Sequence, residues 1–220
     1  MNVVTVDQEL RSTGNACITR KAVLAHRKHR RSILLSHARG SARRHEIEEF
    51  IRREFRDHFD ADLKHFMPQL VALHAPNGTV RAVVGCRSAA AERLFLETYT
   101  VKPVETLIAE RVGIAVPRAQ IIEVGSLACV NGRAATEMVL ALVPALIRAG
   151  FTWVVFTGAD TVRNVFRRLR LAPHALCAAD QTLLGAERHA WGRYYDHNPI
   201  VMAGRIADGL AALETPIGVQ

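Results

Sequence analysis

Apolar and polar positions along the chain alternate between two periods, and the clearest case is Thr152–Leu171. Trp153, Val154, Val155 and Phe156 form a continuous apolar run between Gly150 and Gly158, the pattern of a strand covered on both faces. Thr157, Asp160 or Thr161 can cap the helix that follows, which opens with Asn164. Val162, Val165, Phe166 and Leu169 recur there at helical spacing, so one face packs back on a sheet. A strand feeding a helix in this way sets polar groups at the carboxyl end of the strand, where open α/β sheets hold ligands.

The same reading extends over the rest of the chain. Met1 to about Thr19 is irregular or weakly extended, and Lys21–His37 has sparse apolar positions that suit either strand or helix. Ser41 to about Phe59 is a helix capped by Ser41, with Ile47, Phe50, Ile51, Glu54 and Phe55 giving the period. Phe66–His74 and Val80–Arg87 are antiparallel partners joined by a tight turn at Pro76-Asn77-Gly78, and Leu94–Tyr99 is a third strand or extended segment. A helix follows Pro103 and stops at Gly113. Ala119–Ala128 is a strand and Arg133–Ala149 a helix; His174–Ala179 forms one more strand. The tail from Trp191 to Leu213 mixes loop with a short helix. The order is a helix, antiparallel strands, then strand–helix–strand–helix–strand with parallel crossovers. It predicts an α/β three-layer fold, a mixed central sheet flanked by helices, in which residues 1–40 form a basic N-terminal segment and residues 41–220 the domain.

Length and composition narrow the class. At 220 residues, 49% hydrophobic and without low-complexity tracts, the chain can bury one sizeable core. Its longest apolar run, Met138–Ile147, is far shorter than the roughly 20 residues that span a bilayer. Val3–Val6 is followed at once by Asp7, Glu9 and Arg11, which is not the apolar core of a secretory signal, so a cytoplasmic protein without stable membrane insertion is expected. Cys17, Cys86, Cys129 and Cys177 are widely spaced, and no metal site is predicted from them or from the ten scattered histidines, of which only His26 and His29 lie close.

The net charge of +8 is concentrated between Arg20 and Arg56, where Arg20, Lys21, Arg27, Lys28, Arg30, Arg31, Arg39, Arg43, Arg44, Arg52, Arg53 and Arg56 outnumber Glu46, Glu48, Glu49 and Glu54. This is either a face that attracts a polyanion or a solvated helix surface laced with i,i+4 pairs. No stacking aromatics or DNA-binding motif accompany it, which excludes nucleic acid as the expected partner.

Candidate chemistry lies on two turns, which face the same way if the strands at Ile121 and Val154 are parallel neighbours. In Ala128–Ala134, Gly132 lets a backbone approach closely, the free amides of a helix start favour an anion, and Arg133 adds charge. Asn164 offers a polar amide to the same ligand. Glu123 stands mid-strand in IIEVGSL, where a buried carboxylate needs either a basic neighbour or a raised pKa. Tyr194, Tyr195, Asp196 and His197 form a late polar-aromatic cluster that either covers the sheet edge or serves a site. Ser126 and Cys129 have neither a nucleophile elbow nor an organised histidine, so covalent catalysis is not expected.

Together these pieces resemble the GNAT (N-acetyltransferase) superfamily, with Asn164-Val165-Phe166-Arg167-Arg168-Leu169-Arg170-Leu171 standing where that fold carries an Asn helix ending in Leu-Gly-Phe, the Gly-Phe here replaced by Arg170-Leu171. A longer resemblance runs from about Phe50 to Gly204. Leu94-Phe95-Leu96-Glu97, Ile122–Ala128, Trp153–Thr157 and Trp191-Gly192-Arg193-Tyr194-Tyr195-Asp196 through Pro199 and Val201–Gly204 look like the thermostable haemolysin family, a GNAT-like fold similar to acyl-homoserine lactone synthases. Where those synthases carry Glu-x-x-Arg, this chain has Glu123 followed three residues on by Ser126.

The resemblance implies an N-acyltransferase that moves an acyl chain from acyl-CoA or an acyl-phosphopantetheine on a carrier protein to a small amine, with no tightly bound cofactor. It implies that Leu127, Asn131, Gly132, Arg133, Ala134 and Asn164 cradle the thioester, with the backbone at Gly125–Leu127 polarising its carbonyl. Glu123 deprotonates the amine and Tyr194 or Tyr195 protonates the thiolate. The basic face then docks an acidic carrier protein or the phosphates of CoA. The family name alone suggests a different class, a membrane-active or lipid-binding protein without turnover.

Overall fold

A computed structural model describes residues 21–24 and 32–214 of the chain. Eight strands form one sheet: β1 (Lys21–Leu24), β2 (Ser32–Ala38), β3 (Gln69–His74), β4 (Val80–Ser88), β5 (Ile121–Cys129), β6 (Trp153–Gly158), β7 (His174–Ala178) and β8 (Ile200–Arg205). They lie in the order β1-β2-β3-β4-β5-β6-β8-β7. Helices are α1 (Arg44–Phe59), α2 (Val104–Val112), α3 (Gly132–Arg148), α4 (Asp160–Arg168) and α5 (Ile206–Glu214).

The predicted periods produce the three layers. Ile47, Phe50, Ile51 and Phe55 are the buried stripe of α1, and they close over Leu70, Ala72 and Val83 on one sheet face. Val104 and Ile108 of α2 pack on the same side against Ile121, Trp153 and Val155. On the opposite face Ala134, Met138, Ala141, Leu142 and Ala145 of α3, with Ile206, cover Val71, Val84 and Ile122. Because both faces are covered, β3 and β4 are nearly continuous apolar runs rather than alternating ones. The Pro76-Asn77-Gly78 turn joins β3 to β4 as expected, with Gly78 at φ +84, where a side chain is disfavoured.

Several boundaries differ from the sequence expectation. Helix α1 begins at Arg44, and Ser41 caps nothing with its buried hydroxyl. The helix start is fixed instead by Arg44, whose buried guanidinium donates to the carbonyls of His37, Met67 and Pro68 and pairs with Glu48. Those bonds take the Met67 and Pro68 carbonyls, and β3 starts only at Gln69. Leu94–Tyr99 is not extended: Phe95–Thr98 is a 3-10 turn, because the Glu97 carboxylate folds back to accept from the Leu94 amide. Helix α4 starts at Asp160 with Ala159 at its cap position and no side-chain cap, so Asn164 lies inside it. Arg163 sets that start by joining Asp160 to the carbonyls of Gly158 and Asn198.

The tail holds a strand that its short apolar run did not disclose. β8 inserts between β6 and β7, antiparallel to both, so β5–β6 is the single parallel contact among the described strands. Within the basic stretch, Arg43, Arg52 and Arg53 pair with glutamates of α1, the laced-helix alternative. Met1–Thr19 with Cys17, and Arg20, Arg27, Lys28, Arg30, Arg31, His26 and His29, lie outside the described residues. Among the described residues no helix is long and apolar enough to cross a membrane.

Candidate active site

The parallel pair β5–β6 holds together for three residues only, Ile121–Glu123 against Trp153–Val155. Past that point β5 turns away. Gly125 stands opposite Gly85 and Ala128 opposite Val83, so β5 spends one extra residue there, and Ser126 takes the left-handed conformation at φ 49. Such a bulge bends its strand and costs strain that the surrounding ladder has to hold. The two strands splay and a cavity of about 480 Å³ opens between them. It reaches both sheet faces: Met138, Leu142 and Leu146 of α3 line one side, and Phe55, Met67, Trp191 and Tyr194 the other.

Glu123 stands at the vertex, on the last residue of β5 that pairs with β6, and is 2% exposed. Its two carboxylate oxygens accept from the amides of Phe95 (2.9 Å) and Leu96 (2.8 Å), at the start of the 3-10 turn. Burial raises its pKa; the two amide bonds and the nearby Arg87 charge oppose that without cancelling it. The result is a carboxylate held rigidly in the cavity wall and readier than usual to take a proton.

The turn that holds Glu123 is itself held by Glu97. This carboxylate accepts from the amides of Leu94 (2.9 Å) and Val104 (3.0 Å) and from both terminal nitrogens of Arg118 (2.7 and 3.1 Å). Burial alone would push Glu97 up, but the Arg118 fork and the two amides bring it down to about 2. Arg118 also binds Glu105. In the sequence Glu97 stands out only as part of a motif, since partners 7 and 21 residues away give no local signal.

The late aromatic motif forms a second wall. Trp191, Tyr194 and Tyr195 contact one another and reach Phe55, Phe59, Phe95 and Tyr99 edge to face or tilted. Gly192 makes this possible. At φ +52 it passes so close to the end of α1 that a Cβ there would lie 2.2 Å from the Phe59 carbonyl oxygen. Flanking bonds from Arg193 to Phe59 and from Asp62 to Ala190 fix the crossing. The Tyr194 hydroxyl donates to the Thr157 carbonyl at 3.2 Å, and the Tyr195 and Tyr99 hydroxyls hydrogen-bond each other. Burial pushes the Tyr194 and Tyr195 phenols up, Tyr195 to about 12 even after its bond to Tyr99. Both are therefore protonated at neutral pH.

Glu123, Leu127, Tyr194 and Tyr195 all line the cavity. Asn131–Ala134 do not line it. Asn131 caps α3, accepting from the Ala134 amide at 2.9 Å, and Arg133 projects into solvent and pairs with Glu137. A guanidinium nitrogen of Arg168 lies 3.7 Å from where a Gly132 Cβ would sit, so positive charge gathers at the start of α3. Asn164 is exposed and accepts from Arg167. Lining residues that sequence reasoning missed are Arg87, Met67, Tyr99 and, on α1, Phe55 and Phe59. They belong to elements remote in sequence and to ordinary core patterns. The three described thiols suit no nucleophilic role: burial pushes Cys86 up to about 12 and raises Cys129 and Cys177. Among the described residues no cluster of His, Cys, Asp and Glu could hold a metal ion.

A family model described as thermostable hemolysin matches residues 37–210. No curated protein matches the sequence. Among solved structures, the AHL synthase LasI is similar over 87% of this chain and 99% of its own, at 12% identity and a TM-score of 0.56. FeeM, an N-acyl amino acid synthase from uncultured soil microbes, matches over 81% of this chain and 93% of its own, at 9% identity and a TM-score of 0.54. TofI in its apo form matches over 84% and 97%, at 15% identity and a TM-score of 0.52. At these identities the likeness is one of fold, the GNAT-like plan read from the sequence.

Proposed function

The chain belongs to the thermostable hemolysin family, and from the geometry of its cleft we propose that it is an N-acyltransferase, moving an acyl chain from a thioester to the amine of a small molecule. One observation carries this reading: two parallel strands part at a buried carboxylate and leave an apolar passage between them. A thioester carbonyl lies beside the β5 bulge, where the backbone of Gly125–Leu127 polarises it. The acyl chain runs among Met138, Leu142 and Leu146. The pantetheine arm leads toward the start of α3, where the helix N-terminus, Arg133 and Arg168 attract the phosphate of CoA or of a carrier-bound phosphopantetheine. Asn164 lies on the neighbouring α4 and shares that rim. An acidic carrier protein suits this arginine-bearing side, since the described arginines of α1 are largely engaged with its own glutamates.

Glu123 takes the ammonium proton directly or through water, and the free amine attacks the carbonyl carbon. A C–N bond forms and the C–S bond breaks. The thiolate leaves with a proton from Tyr194 or Tyr195, which regains one from the new amide nitrogen. Acyl thioester and ammonium thus become amide, thiol and a proton released from Glu123. Burial supports these roles, since it makes the carboxylate more basic and keeps the phenols protonated.

The test is thiol release from acyl-CoA or acyl-carrier protein in the presence of amines, beside leakage of liposomes without thioester. Amine-dependent release is expected, falling at least about 100-fold in Glu123→Gln. Leakage without thioester and no thiol release would instead establish the lytic alternative. Glu123→Asp serves as a control, because the glutamine variant sets an NH₂ against a backbone amide and loses one of two anchoring bonds.

A further inference from the structure

Arg87 and Glu123 stand directly opposite each other across the β4–β5 ladder, and both line the cavity. Residues opposed in this way carry their side chains on the same face, with Cβ atoms roughly 5 Å apart. Yet no ion pair joins these two. The carboxylate is engaged by the Phe95 and Leu96 amides, one to each oxygen, and each oxygen keeps further acceptor capacity. The guanidinium pairs outward with the partly exposed Glu92 and donates one bond, from Nη1 to the Arg93 carbonyl. Its Nε is buried and, although 3.2 Å from a Glu92 oxygen, makes no hydrogen bond among the described residues. A buried donor left in this state is costly unless something arrives to accept from it.

Beside the pair the ladder has no side chains of its own. Gly85 and Gly125 face each other one step along the same ladder face, and in place of side chains they carry the thioether of Met67. A Cβ on Gly125 would lie 2.7 Å from the Met67 methyl, so nothing larger than hydrogen fits beneath it. Methionine is readily displaced or repacked. Phe66, Phe95 and Trp191 enclose the rest. A cation and a carboxylate that stand side by side without pairing with each other, next to a glycine pair covered only by Met67, match a ligand carrying the opposite charges at adjacent positions.

Resting on the acyltransferase reading, we infer that the acceptor is an α-amino acid, whose ammonium meets Glu123 and whose carboxylate is received by the Arg87 fork. Arginine suits this task because its planar donors match a carboxylate in pairs. Arg87 is then a specificity-determining residue, and the product is an N-acyl amino acid formed with release of the free thiol and one proton.

Thiol release is measured with the wild-type protein, one acyl thioester and each of the common amino acids, against the matching amines that lack only the carboxylate. The best amino acid is expected to exceed its decarboxylated counterpart by about 10- to 100-fold in kcat/KM, the range for one charge-assisted contact. Arg87→Ala abolishes that preference through KM, and Arg87→Lys retains part of it. Equal or better turnover of the amines overturns the inference and leaves the acyltransferase reading standing. Absence of release with every acceptor overturns both. Should Arg87→Ala not fold, the wild-type comparison and Arg87→Lys still decide.

Discussion

Replacing Glu97 by glutamine tests the support beneath the proposed base. The carboxylate gathers four donors, two amides and two guanidinium nitrogens, in a side chain only 7% exposed. Glutamine keeps the volume but presents one acceptor and turns an NH₂ toward the remaining donors, while Arg118 retains Glu105. The network brings Glu97 from its ordinary 4.5 down to about 2, which at about 1.4 kcal/mol per unit is about 3 kcal/mol. Since Arg118 is 29% exposed, solvent screening reduces this to ~2 kcal/mol. The folded-state pKa lies below the unfolded one, so the stabilisation is present above pH 4.5 and is lost as pH falls toward 2. Urea unfolding followed by circular dichroism should therefore give a loss of ~2 kcal/mol for Glu97→Gln at pH 7, and the gap to wild type should narrow steadily between pH 5 and pH 3. A loss under ~0.5 kcal/mol at pH 7, or a gap independent of pH, would refute the account.

Two further outcomes follow from the same geometry. Gly192→Ala puts a methyl 2.2 Å from the Phe59 carbonyl at a positive φ, so a loss of more than ~3 kcal/mol or failure to fold is expected; a thermal melt within 2 °C of wild type would contradict it. Because burial raises the Glu123 pKa and the base works only when ionised, kcat should rise with pH along a limb displaced above the ordinary carboxylate range. That limb should vanish in Glu123→Gln, and a limb at or below pH 4.5 would count against Glu123 as the base.

Much of the candidate site was legible because it sits on strongly patterned elements. Glu123 drew attention as a carboxylate inside an apolar strand, and the structure buries it at the cavity vertex. The Trp191–Asp196 motif was legible by its unusual composition, though not the reason for its glycine. Asn131, expected to cradle the thioester, is the cap of α3. Asn164 reads as a helix start because candidate caps on either side of Asp160 look alike in sequence; the choice is made by Arg163, which bonds a carbonyl 35 residues away.

Sequence by itself determined the periods, and through them the helices, most strands and the three-layer plan, because burial of one face is a local pattern repeated along the chain. Only the tertiary structure decided where β8 inserts, that β5 and β6 part after three pairs, and that Arg87 comes to face Glu123 across the ladder. Those outcomes depend on register, on a single extra residue in β5, and on carboxylates and guanidiniums whose partners lie tens of residues away. Hydrophobic patterning fixes which side of an element is inside, but it carries no information about which strand lies next to which, or how far along they remain paired.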